Sequence, residues 1–296
     1  MPGEWEIRFG AQRAVVTALA GGLRLYESGP RQVVTSYPRD TDAPHSMGLP
    51  LIPWPNRLRA GRYSFAGAEH EVKINETARG NAIHGLTWAL EWTVTETSPA
   101  AVEVACELDE PDAYPFRLRS QIRYELGASG LEATIRCTNT GATDLPLGVG
   151  QHPYLQAGAG TVDDWYLTLP AERVLEVDER MIPTGRELDV AGTELDFRRE
   201  RRIGETRLDH AFTALARDQD GLVRVTLRPP DGPRTGLWAD RGCTVVQVYT
   251  GEAVLRRGLA VEPMSCPANA FQSGTGLQVV EPGATWSMRW GLDPDA

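Results

Sequence analysis

Polar and apolar residues alternate with a period of two along much of the chain, the signature of strands with one buried face. The clearest case runs from Phe116 to Leu126. Phe116, Leu118, Ile122, Tyr124 and Leu126 share one parity, and Arg117, Arg119, Gln121, Arg123 and Glu125 the other. Gly127-Ala-Ser-Gly130 supplies a turn, and Leu131, Ala133, Ile135 and Cys137 alternate with Glu132, Thr134, Arg136 and Thr138 on the return, which predicts a long antiparallel hairpin. Shorter pieces read the same way at 62–65 with 71–74, 91–97 with 101–108, 222–227, 243–249 and 285–290. No stretch of twelve or more residues carries a 3.6-residue apolar stripe, and no Gly/Ser- or Pro-rich linker separates two different halves. The expected fold is therefore all-β, a single domain over residues 1–296 built as a large antiparallel β-sandwich of two packed sheets. Segments 37–60, 76–88, 146–160, 178–209 and 262–276, rich in Pro, Gly, Asp and Arg, are expected as loops on which binding groups collect.

Composition narrows the function. With 30 basic against 40 acidic residues and a net charge of −10, the chain lacks the basic surface that nucleic acid requires. Lys73 is the single lysine, and the arginines are spread so evenly that they read as a compositional preference rather than as anion sites. Cys106, Cys137, Cys243 and Cys266 are too far apart for a disulfide scaffold or a metal knuckle and are expected as buried free thiols. No apolar run of 18 residues and no signal-peptide pattern is present, so a soluble, cytoplasmic protein without a membrane partner is expected. Neither a phosphate-binding GxxxxGK[ST] nor a strand-linked GxGxxG occurs, so no nucleotide cofactor is expected. The five histidines form no HExxH or HxH, so no metal site is expected, and the absence of GxSxG disfavours a serine hydrolase.

Five loop segments set polar residues among Pro, Gly and aromatic neighbours: Pro53-Trp-Pro-Asn-Arg57, Ala82-Ile-His-Gly85, Val149-Gly-Gln-His-Pro-Tyr154, Leu208-Asp-His-Ala-Phe212 and Val261-Glu-Pro-Met-Ser-Cys-Pro-Ala-Asn-Ala-Phe271. In this order and at these separations they resemble the aldose 1-epimerase (mutarotase) family over almost the whole chain. Asn56-Arg57 leading into Gly61-Arg-Tyr and Gln247-Val-Tyr-Thr-Gly251 are similar to two further family segments. The chain departs from the galactose mutarotase pattern at His84-Gly85-Leu86, at Gln151-His152-Pro153-Tyr154 and at Pro263-Met264, and looks closer to a bacterial branch with a Glu-Pro-Met-x-Cys-Pro motif. The resemblance implies a galactose mutarotase-like supersandwich and a cofactor-independent isomerase whose partner is a small sugar.

That chemistry opens a cyclic hemiacetal. A base removes the proton of the C1 hydroxyl, an acid protonates the ring oxygen, and the aldehyde turns about C1–C2 before closing on its other face. The resemblance implies Glu262 as base and His152 as acid, with Arg57, His84, Asp209, Asn56 and Gln247 as substrate-binding residues. The residue types suit these roles: a carboxylate offers two acceptors to vicinal hydroxyls and an arginine a planar fork of donors. His210, His45 and His70 are expected as structural or exposed, and Trp54, Trp88 and Trp165 as core residues of which one can serve as a sugar platform. The leading expectation is an epimerase of a free hexose. The alternatives are an epimerase of a phosphorylated or sulfonated sugar, using Arg57, Arg59, Arg62 or Arg79, and a non-catalytic sugar-binding sensor. A monomer and a homodimer are equally compatible with the sequence.

Overall fold

The computed structural model describes residues 3–39 and 41–296. Its main layers are two large antiparallel sheets. One has nine strands in the spatial order 93–97, 101–109, 117–127, 130–139, 285–293, 235–239, 223–228, 166–168 and 201–202. The other has eight: 183–189, 171–177, 209–215, 245–249, 259–264, 150–151 and 50–51 in line, with 154–155 also paired to 259–264. A four-stranded sheet of 4–9, 12–17, 23–28 and 31–32 adds to these at the N-terminal end.

The predicted hairpin is Arg117–Gly127 paired with Gly130–Asn139, and its apolar parity is the buried one: Leu118, Ile122, Tyr124, Ile135 and Cys137 are all inaccessible. These residues meet Met288 and Trp290 of the same sheet and Val246, Val248, Val261 and Phe212 of the other in one continuous core. All four cysteines are buried and free.

The structure corrects the sequence reading of several strands. The strand returning from Arg62–Phe65 is Ala68–Glu71, earlier than 71–74, because Ala66 and Gly67 both adopt positive φ (50° and 83°) and close a two-residue turn. Pro183–Asp189, expected as loop, is an edge strand. It is almost wholly exposed and therefore has no apolar parity to betray it. His70, expected as structural or exposed, is half-buried and stacked on Tyr63 with ring centroids 4.7 Å apart.

Candidate active site

The eight-stranded sheet sends alternate residues to opposite faces, and its register decides what gathers on the face away from the main core. Val246 and Val248 point inward, so Gln247 and Tyr249 point outward; Val261 points inward, so Ala260 and Glu262 point outward. Gln247 lies directly opposite Glu262, and Asp209 opposite Tyr249. Three expected site residues from three strands thereby share one face, whereas His210 falls on the opposite parity.

Two further segments close over this face. His152 is fixed through its backbone, with its N–H donating to the Leu49 carbonyl (3.0 Å) and its own carbonyl accepting from Gly48 (2.9 Å). Tyr154, paired to Ala260, stacks on the imidazole at 5.1 Å and 15°. Arg57 begins a short strand paired with Asn81–Ile83, and the Asn56 carbonyl accepts from the His84 N–H at 3.0 Å, so Asn56, Arg57 and His84 travel together. His84 then stands edge-on to His152, with centroids 5.2 Å apart.

His152 Nε2 lies 3.3 Å from Glu262 Oε1, and the two residues are 5% and 2% exposed. Burial pushes the Glu262 carboxyl well above the usual carboxylate range, the negative charge of Asp209 adds to the rise, and Arg57 opposes it. Burial lowers His152 to about 4 and His84 well below the ordinary imidazole value, with the neighbouring imidazole and Arg57 adding to the effect at His84. Glu262 Oε2 and Nδ1 of both histidines are buried without a hydrogen-bond partner among the described residues, so the site presents unsatisfied groups to an incoming polar molecule.

The hydroxyl-binding candidates are already linked. Gln247 Nε2 donates to Asp209 Oδ1 at 2.6 Å, and Arg57 Nη2 reaches Asp209 Oδ2 at 3.5 Å. Asn56 Oδ1 accepts from the Arg57 backbone (2.8 Å) and from Arg57 Nη1 (3.3 Å), which makes Asn56 a clamp on the arginine. Sequence reasoning missed Glu76, whose carboxylate takes Arg57 Nε at 3.0 and 3.1 Å and also holds Arg79 and Asn81. Its only trace in the sequence is an acidic residue in a segment marked as functional loop. Trp54 and Trp165 are core, whereas the Trp88 indole is exposed beside His84. Among the described residues no group of three or more His, Cys, Asp or Glu side chains is placed to hold a metal ion, and no helix is long and apolar enough to cross a membrane.

Fold and site together define a β-sandwich protein with a buried carboxyl–imidazole pair beside a linked row of amide, carboxylate and guanidinium groups. Residues 23–292 match the aldose 1-epimerase family, and the chain belongs to it; it is an isomerase of the aldose 1-epimerase kind. YihR of Escherichia coli K12, described as uncharacterized, is 38% identical over 271 residues, covering 91% of this chain and 85% of that protein. Galactose mutarotase of Rattus norvegicus is 30% identical over 156 residues, 51% of this chain and 44% of that one. Among solved structures, the GalM/aldose epimerase homologue of C. elegans superposes with a TM-score of 0.85 at 18% identity, over 100% of both chains. A putative aldose 1-epimerase of Escherichia coli K12 does so with 0.84 at 18%, over 99% of each.

Proposed function

We propose that the protein interconverts the α and β anomers of a free hexose, with Glu262 and His152 as the proton-transferring pair. The carrying observation is the 3.3 Å approach of two buried groups whose surroundings drive both towards neutrality. Ring opening moves the C1 hydroxyl proton to Glu262 and a proton from His152 to the ring oxygen, leaving a carboxylic acid and a neutral imidazole. That is the charge state burial favours in the free site, so the open aldehyde is the bound form for which the protein separates no charge. The closed sugar, by donating hydroxyls to Glu262, stabilises the ionised pair that starts the next opening. Asp209, Gln247, Arg57 and His84 hold the remaining hydroxyls and the ring oxygen, and Asn56 holds Arg57.

The arginines that an anionic substituent would need are occupied, which supports a neutral sugar. Arg57 is held by Glu76, Arg59 by Asp178, Arg62 by Glu71 and Arg79 by Glu76. An acid and a base facing one C1–O5 unit also exceed what a sensor requires. The Glu262-Pro-Met-Ser-Cys-Pro267 stretch supports membership of the bacterial branch, and the span of the family match, residues 23–292, supports a single domain.

The test is the α/β exchange rate of a panel of aldoses by NMR magnetisation transfer, with Glu262→Gln protein as the blank. Exchange accelerated for one or a few neutral sugars and lost in the variant is expected. Equal rates for the two proteins would overturn the assignment.

A further inference from the structure

The ribbon that carries Arg57 is short, and the chain leading into it is wet. Its strands, 57–59 and 81–83, have three residues each, and segment 73–80 is exposed at every position except Glu76 and Gly80, which are half-buried. Glu76 nevertheless meets Arg57 Nε with both oxygens, at 3.0 and 3.1 Å. With no apolar side chain of 73–80 buried to hold this loop, polar contacts must place Glu76.

Those contacts come from a turn about 100 residues further along the chain. Residues 178–182 join strands 171–177 and 183–189 at the edge of the eight-stranded sheet, and Asp178 Oδ1 ties the turn by accepting from the Arg180 and Ile182 N–H groups at 2.9 and 3.0 Å. Arg180 reaches from it to the loop. Its Nε donates to the Arg79 carbonyl at 2.8 Å and its Nη2 to the Gly80 carbonyl at 2.5 Å, while its own carbonyl accepts from Asn81 Nδ2 at 3.0 Å. Gly80, at φ +65°, would set a Cβ 3.0 Å from Arg180 Nη2, so the absence of a side chain there leaves room for the guanidinium. Asn81 is fully buried, and the second hydrogen of its Nδ2 goes to Glu76 Oε2 at 2.9 Å. On the opposite strand of the ribbon, Arg59 Nη2 donates to Asp178 Oδ2. One turn thus grips both strands, and an unbroken series of hydrogen bonds runs from Arg180 through Asn81 and Glu76 to Arg57.

We propose that the 178–182 turn braces the substrate-binding ribbon, and that Arg180 is a positioning residue for Arg57, acting through Asn81 and Glu76 from outside the site. The inference rests on Arg57 binding substrate, as assigned above. It also gives a role to a hairpin whose second strand, 183–189, is almost wholly exposed: the hairpin acts at its tip.

Coupled variants, rather than proximity, test such a link. The experiment measures kcat and KM for exchange of the most accelerated neutral aldose by NMR in wild type, Arg180→Ala, Arg180→Lys, Glu76→Ala, the double variant Arg180→Ala/Glu76→Ala, and Arg186→Ala. Arg186 lies on the same hairpin, paired with Glu176 inside it, and controls for disturbance of the hairpin itself. Arg180→Ala is expected to raise KM about fivefold with kcat changed by less than about twofold. Arg180→Lys, which keeps the charge but loses the planar fork across two carbonyls, should fall between it and wild type. The double variant should show the KM of Glu76→Ala alone, and Arg186→Ala that of wild type. The Arg57 Nε–H resonance should exchange with solvent faster in Arg180→Ala than in wild type. An unmoved KM in Arg180→Ala, or an effect that multiplies with that of Glu76→Ala, overturns the brace and leaves the Glu262–His152 assignment standing. If the wild type accelerates no sugar, the proposed function falls and the Arg57 Nε–H exchange decides alone: a faster rate in Arg180→Ala sustains Arg180 as the residue that positions Arg57, and an equal rate overturns it.

Discussion

Glu262→Gln separates catalysis from stability, because one buried carboxyl is proposed to serve the first at the expense of the second. The amide keeps the size of the side chain and a hydrogen-bonding group 3.3 Å from His152, but it cannot take up a proton. Positioned proton transfer contributes about 10²–10⁴-fold, and a loss of this size in kcat is expected. Stability should move the other way. The folded carboxyl titrates well above 4.5 because it is buried, while the unfolded one ionises near 4.5. As pH rises from 4.5 towards the folded value, the unfolded chain releases a proton that the folded chain retains, and the wild type loses about 1.4 kcal/mol per pH unit that the variant does not lose. Each unit corresponds to roughly 2–4 °C in Tm for a chain of this size class. The Tm difference between variant and wild type should therefore open in favour of Glu262→Gln from pH 4.5 upwards. Calorimetric scans in half-unit steps, paired with exchange rates on the same protein, check both limbs. Parallel Tm curves, or a variant that exchanges anomers at the wild-type rate, would refute the reasoning.

His152→Asn should give the mirror image. The folded imidazole titrates near 4 against 6.5 in the unfolded chain, so wild-type stability present above pH 6.5 is lost as pH falls towards 4, by about 3 kcal/mol at 1.36 kcal/mol per pH unit. The variant should gain on the wild type over that window in urea titrations. Glu76→Ala frees Arg57 Nε, and the loosened guanidinium should raise KM about tenfold with kcat changed by less than about threefold; Arg57→Lys, which loses the planar fork, should act in the same direction. Gly85→Ala would set a Cβ 2.1 Å from the Ile52 carbonyl oxygen at φ +71° and should cost about 3 kcal/mol. Gly67→Ala, with positive φ but no atom within 4 Å, should cost about 1 kcal/mol in the same denaturation assay.

What the sequence displayed and what it concealed follow from the length and exposure of each element. The 117–139 hairpin is long, with one face buried and one wet, and its parity survives over ten pairs. The N-terminal sheet escaped notice because Ala14, Val15 and Val16 are all buried, which erases alternation, while 183–189 is exposed on both faces and never acquires it. The strands that hold His152 in place, 150–151, 154–155 and 50–51, are two residues each and too short to carry any period. The residues proposed for the site stood out for a different reason: Glu262, His152, His84, Asp209 and Arg57 lie in segments that resemble the family's motifs. Glu76 has no such context. Its importance lies in a contact with a residue 19 positions away, which only the pairing of 57–59 with 81–83 creates.

The burial of Glu262 needs an explanation of its own, since the residue faces away from the main core. On the same sheet face, Leu175, Ala211, Val245 and Met264 form one small apolar cluster, and Tyr37, Met47, Tyr154 and Ala260 form another. Met264 and Ala260 are the residues two positions after and before Glu262 on its own strand, so the two clusters bracket the carboxyl along the strand direction. Gln247 covers it from the neighbouring strand and His152 from above. The desolvation that lifts the carboxyl and depresses the imidazole is therefore a product of strand register. A slip of one residue between 245–249 and 259–264 would break the pairing of Glu262 with Gln247, and turning either strand over would send its site residue into the valine core. Valines 246, 248 and 261, all fully buried, make that turn costly, so residues that touch no substrate fix the proton affinity of the group proposed to do the chemistry.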